Sequence, residues 1–196
     1  MSRTAEISRI TKETKVRIEL VLDGDGACSI RTGVGFLDHM LELLGRHGQF
    51  HLTVQCEGDT WVDDHHSVED IGIALGDAFA QALQDKKGIR RYGSMLLPMD
   101  ESLVMTALDL SGRGFLVYDL GVLTEKVGQF DTELAEEFFR AFAHHCGCTL
   151  HIKKITGGNT HHILEAAFKG VGRSLRQAVA VDQEHPDEIP STKGVL

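Results

Sequence analysis

Apolar positions along the chain follow two rhythms, and the order of those rhythms repeats. Residues 15–22 alternate Val16, Ile18, Leu20 and Leu22 with polar neighbours, the period of a half-buried strand. The DGDG turn signal at 23–26 and the ACSIRT segment after it predict a returning partner strand. Residues 35–48 predict a short helix with Phe36, Met40, Leu43 and Leu44 on one face. Phe50, Leu52, Val54 and Cys56 alternate again and predict a third strand over 49–57. Between 65 and 85, Val68, Ile71, Ala74, Leu75, Ala78, Phe79 and Leu83 keep helical spacing. The predicted order is ββαβα.

The second half predicts that order again. Strands are expected over 101–112 and 114–120, a helix over 132–145, a strand over 149–155 and a helix over 161–179. KKGIRRYG at 86–93 is the natural boundary, so halves of 1–92 and 93–196 are expected within one compact unit. The repeat also reaches individual residues. His65-His66-x-x-Glu69 recurs as His161-His162-x-x-Glu165, 96 positions later. On composition one such motif is expected only about 0.04 times in a chain like this, so two copies, each opening the last helix of its unit, point to internal duplication. The fold class is therefore α+β: two ββαβα halves, each a sheet covered on one face by two helices.

Composition narrows the function. Hydrophobic residues make up 42% and charged residues 25% of 196, an ordinary globular balance. With 20 Lys+Arg against 29 Asp+Glu, the net charge is −9, which argues against general affinity for nucleic acid or an anionic membrane. No apolar run approaches the roughly 20 residues of a membrane span, and the N-terminus lacks the apolar segment of a signal peptide. Four irregularly spaced cysteines (Cys28, Cys56, Cys146, Cys148) do not make a disulfide framework. A cytoplasmic protein is expected. Against this background stand 11 histidines, beside 3 prolines and 1 tryptophan.

On a helix, residues i and i+4 share a face while i+1 is turned by about 100°. His65 with Glu69, and His161 with Glu165, can therefore each grip a metal ion. His66 and His162 point elsewhere, so two ions sharing ligands between repeats or subunits are expected. Imidazole and carboxylate without thiolate suit Mn, Fe or Zn, and open octahedral positions favour Mn or Fe. His39 is a candidate further ligand, and its counterpart by repeat alignment is Glu137. Asp63, Asp64, Asn159 and Thr160 are placed to cap the two helices, and Asp64 to orient a ligand from behind. Cys146-Gly147-Cys148 is explained by a helix end and a strand start. Gly170 and Gly172 are explained by close helix packing rather than by a nucleotide-binding loop.

At this point the residues carry a resemblance. GVGFLDHML (33–41), VDDHHSVEDI (62–71), LDLSGR (108–113), the second HHxxE and the tail PSTKGVL resemble the imidazoleglycerol-phosphate dehydratase family, in order from Arg9 onward. The resemblance implies ribosomal protein S5 domain 2-like halves and a monofunctional lyase of histidine biosynthesis. That lyase dehydrates imidazole glycerol phosphate to imidazole acetol phosphate through an imidazolate held by two metal ions. It also implies two Mn²⁺ per active site where the subunits of a 24-subunit homo-oligomer meet. One ion would take His39, His66, His161 and Glu165; the other would take His65, Glu69, His162 and Glu137. The family usually has histidine where this chain has Glu137, but a carboxylate can replace imidazole on Mn²⁺. Leu43 stands where some members carry a substrate-contacting glutamine. The resemblance further assigns the substrate phosphate to Arg91, Arg113, Lys169, Ser191 and Lys193, and proton transfer to Glu13. Two rival classes remain on the residues alone: a non-catalytic metal-binding shell protein, and a metal-dependent hydrolase of a phosphorylated metabolite.

Overall fold

The computed structural model describes residues 3–121 and 123–196. The first half runs β1 (Thr4–Ile10), β2 (Thr14–Val21), β3 (Cys28–Arg31), α1 (Gly35–Gly48), β4 (His51–Gly58) and α2 (His65–Leu83). The second runs β5 (Tyr92–Met99), β6 (Ser102–Asp109), β7 (Phe115–Asp119), the small hairpin β8 (Lys126–Val127) and β9 (Phe130–Asp131), α3 (Leu134–Cys146), β10 (Thr149–Thr156) and α4 (Thr160–Val179). The duplicated α+β architecture is as expected, with one strand added at the front of each half. Both additions, β1 and β5, are edge strands, paired on one side only. An edge tolerates a proline and needs little apolar alternation. That is why Pro98 sits in β5 and why Ala5 is the single fully buried position of β1.

Pairing also departs from the predicted hairpin. The sheets are ordered β1-β2-β4-β3 and β5-β6-β10-β7. ACSIRT does form a strand, but β3 pairs in parallel with β4 and not with β2. A helix follows β3 before the chain returns, and a helical crossover is the connection that parallel neighbours require. The same holds for β7, α3 and β10.

The helices pack across the duplication. α2 covers β1 and β2, and α4 covers β5 and β6, while α1 lies against α4 and α2 against α3. The two sheets thus enclose a double layer of helices drawn from both halves. Phe50 and Phe79 meet edge to face at 5.1 Å, Phe79 and Phe142 at 5.5 Å, and Phe138 stacks on Phe168 at 5.3 Å. All five rings are buried, each contributing about 1.5–3 kcal/mol by removal from water. Gly172 permits the α1–α4 approach, since a Cβ there would lie 2.4 Å from the Leu44 carbonyl oxygen. Cys146 ends α3 and Cys148 precedes β10, both buried free thiols. No helix among the described residues is long and apolar enough to cross a membrane.

Candidate functional site

The crossed helix packing brings one ligand set together within the chain. α1 supplies His39 and α4 supplies His161 and Glu165, and one donor atom from each lies within 4.8 Å of the other two. His161 Nε2 is 3.1 Å and His39 Nε2 3.9 Å from the same oxygen, Glu165 Oε2. Glu165 Oε1 is held by the Lys169 ammonium one turn on. Burial alone would raise the Glu165 carboxyl; Lys169 and His161 overcome it and keep the group below its ordinary value. Asn159 caps α4 as expected, accepting hydrogen bonds from the His161 and His162 backbone N–H groups. Phe36 stands edge-on to the His161 ring at 5.5 Å. His39, His161 and Phe36 border a cavity of about 670 Å³, with Asp64 and Phe130 on its other walls.

Of the second expected set, His65 and Glu69 lie on α2 and Glu137 on α3, while His162 lies on α4. Glu69 and Glu137 line one groove together with Arg140, His144 and His145. The Arg140 guanidinium is 3.5 Å from Glu137. His65 opens α2, its backbone N–H received by Asp63 at 2.9 Å. Among the described residues the three donors that converge are those of the α1–α4 set.

His66 and His162 are each held at Nδ1 by a carboxylate of its own. His66 Nδ1 is 3.0 Å from Asp59, and its Nε2 is 3.9 Å from the exposed Glu13. His162 Nδ1 is 2.7 Å from Glu101, and its Nε2 is 3.7 Å from the exposed Asp100. Those hydrogen bonds raise both imidazoles above the ordinary histidine value, while the His162 contact and the Asn159 N–H hold Glu101 well below the ordinary carboxylate range. The residue behind His66 is therefore Asp59 and not Asp64. Asp64 is the α2 N-cap residue, its side chain makes no capping bond, and it lines the cavity instead. Asp59, Glu101 and Asp100 carry no signal in the sequence, because nothing in their spacing to the histidines follows a helix or strand period.

A basic pocket lies at the C-terminal tail. Arg91, Ser111, Arg113, Ser191 and Lys193 line a cavity of about 590 Å³. Arg91 takes a left-handed backbone conformation (φ +71°) and forks onto Asp109 at 2.7 and 3.1 Å. Its remaining nitrogen donates to the Pro190 carbonyl at 2.8 Å, tying the tail down. Lys169 is not among these residues; it lies on α4 beside Glu165 and Met99. Tyr92 stacks under the Arg91 guanidinium at 4.8 Å.

Fold and site together define a duplicated α+β protein whose helix starts present imidazole–carboxylate sets and whose tail closes a basic pocket. Comparison with known proteins gives the class a family. The family model for imidazoleglycerol-phosphate dehydratase matches residues 32–175. The imidazoleglycerol-phosphate dehydratase of Cereibacter sphaeroides is 61% identical over 194 residues, covering 99% of this chain and 100% of that protein. Its counterpart from Desulforamulus reducens is 58% identical over the full length of both. Among solved structures, imidazoleglycerol-phosphate dehydratase from Staphylococcus aureus superposes with a TM-score of 0.83 at 43% identity, covering 91% of this chain and 99% of that one. The enzyme from Pyrococcus furiosus gives 0.84 at 35% identity, covering 97% and 100%. The chain belongs to the imidazoleglycerol-phosphate dehydratase family.

Proposed function

We infer that the chain is a cytoplasmic lyase of histidine biosynthesis that dehydrates imidazole glycerol phosphate to imidazole acetol phosphate with two Mn²⁺ per active site. The observation that carries this reading is the convergence of His39, His161 and Glu165 in a chain of this family. Two imidazoles and a carboxylate within reach of one point are a donor set that Mn²⁺ accepts. Within this reading His66 of a neighbouring subunit completes that set, and His65, Glu69 and Glu137 with a neighbour's His162 form the second. The His66 and His162 Nε2 atoms each lie near an exposed carboxylate, Glu13 and Asp100, and that placement favours such sharing. Exposed apolar side chains on the sheets, Ile10, Leu96 and Phe115 among them, favour a homo-oligomer, of 24 subunits by family likeness.

Bound Mn²⁺ would supply Lewis acidity and a template for the substrate's imidazole. The chain's own groups do the rest. Arg113, Lys193 and Ser191 neutralise and orient the phosphate, while Lys169 keeps Glu165 ionised. Glu13, exposed and near His66, transfers the proton.

Chelator-stripped protein should turn over imidazole glycerol phosphate only when Mn²⁺ is restored, with imidazole acetol phosphate as product. Release of inorganic phosphate instead would mark a hydrolase. Metal binding with no product would leave a metal-binding protein. The pocket is tested separately. Arg113 makes no ion pair among the described residues, so Arg113→Ala should raise KM on the order of tenfold or more, the worth of a charged hydrogen bond, with the unfolding midpoint unmoved. Arg91→Ala should raise KM and also lower the midpoint, because Asp109 loses its counter-ion and the tail its anchor. Equal and small effects from both would remove this pocket from the reaction.

A further inference from the structure

His66 and His162 are each prepared for their task by a carboxylate that the duplication did not provide. Asp59 lies between β4 and α2, and the position 96 residues beyond it is Ile155, an exposed apolar side chain. Glu101 lies in the β5–β6 turn, outside both HHxxE motifs. Each nonetheless accepts from the Nδ1 of the second histidine of a pair, at 3.0 and 2.7 Å. An imidazole that donates from Nδ1 leaves its Nε2 lone pair free, and only that lone pair can bind a metal. We propose that Asp59 and Glu101 are positioning residues that fix the tautomer and aim of His66 and His162 as Nε2 metal ligands, an inference resting on the metal reading above.

The two carboxylates are built differently, and the difference makes the proposal testable. Both oxygens of Asp59 lie at the His66 Nδ1, 3.1 and 3.0 Å away. In Asp59→Asn the amide can therefore turn its oxygen to the ring and still accept. Glu101 has no such freedom. Its Oε1 accepts from the Asn159 N–H at 2.9 Å, the Gly158 N–H at 3.4 Å and the Ser102 hydroxyl at 2.9 Å, while Oε2 serves His162. In Glu101→Gln the amide oxygen stays with the backbone donors, and the NH₂ group faces Nδ1. A donor there forces the imidazole proton onto Nε2 and blocks ligation.

The experiment is a titration of the chelator-stripped, assembled protein with Mn²⁺, free ion being read by electron paramagnetic resonance. Glu101→Gln should weaken one class of site about 10- to 100-fold, the usual effect of losing a hydrogen-bond partner behind a ligand. Asp59→Asn should weaken the other less than about tenfold on the same reasoning. Combining Glu101→Gln with His162→Ala should weaken binding no further than His162→Ala alone, because the glutamate acts through that ring. Wild-type affinity in Glu101→Gln, or losses that add in the double variant, would overturn the positioning role. His162→Ala and His66→Ala that both bind Mn²⁺ like the wild type would instead overturn the metal reading beneath it.

Discussion

Glu165→Gln should lower Mn²⁺-dependent turnover at least about a hundredfold and leave the purified protein short of metal. The carboxylate is buried, one oxygen pointing at His39 and His161 and the other held by Lys169. Glutamine keeps the shape but not the charge. A neutral amide is a poor ligand for a hard divalent cation, and the Lys169 ammonium beside it adds uncompensated repulsion. Lewis-acid stabilisation is worth several kcal/mol, and about 1.4 kcal/mol is a factor of ten in rate, so losing about 3 kcal/mol of it is a hundredfold. Stability should fall too, since Lys169, with 16% of its side chain exposed, loses its partner. Metal content after dialysis and a turnover assay at saturating Mn²⁺ measure the effect. A variant that keeps full metal and near-normal turnover would remove Glu165 from the ligand set.

Gly93→Ala should be the most damaging of the conservative substitutions outside the site. Gly93 lies on β5 where α4 crosses it, and a Cβ there would sit 1.9 Å from the Ser174 carbonyl oxygen and 3.2 Å from the Ala178 nitrogen. Both are backbone atoms, so no side chain can swing aside. Either β5 lifts off the helix or α4 shifts, and α4 carries His161, His162 and Glu165. Overpacking of this kind costs about 3 kcal/mol at the upper end of its usual range. In a domain of this size that lowers the unfolding midpoint by roughly 6–12 °C. A calorimetric scan of the metal-free protein reads it directly. An unchanged midpoint would mean that the β5–α4 contact is soft.

The outcome is uneven across the chain, and the reasons are local. Helical spacing placed α1, α2, α3 and α4 within a few residues, because each presents an apolar face of three turns or more to the core. The buried face of α1 is Leu37, Met40, Leu41 and Leu44, with Phe36 and Leu43 only partly covered. Strands β2 and β4 were legible from strict alternation. Strands β1 and β5 were not, since an edge strand is satisfied on one side and its sequence is free to break the pattern.

The amino-acid sequence by itself determined the duplication, the helices, the imidazole–carboxylate pairs one turn apart and the basic residues of the tail. The helices and the imidazole–carboxylate pairs follow from spacing along a single element, where the backbone repeat dictates which side chains share a face; the duplication follows from a motif recurring 96 positions on, and the basic residues were singled out by the family resemblance. Only the tertiary structure decided which halves meet. β4 inserts beside β3, and α1 crosses to α4, which sets His39 of the first half against His161 and Glu165 of the second. It likewise brought Asp59 to His66 and Glu101 to His162, and drew Asp109 and the Pro190 carbonyl around Arg91. These contacts join segments between 7 and 99 residues apart, set by packing and turn geometry that no local period encodes.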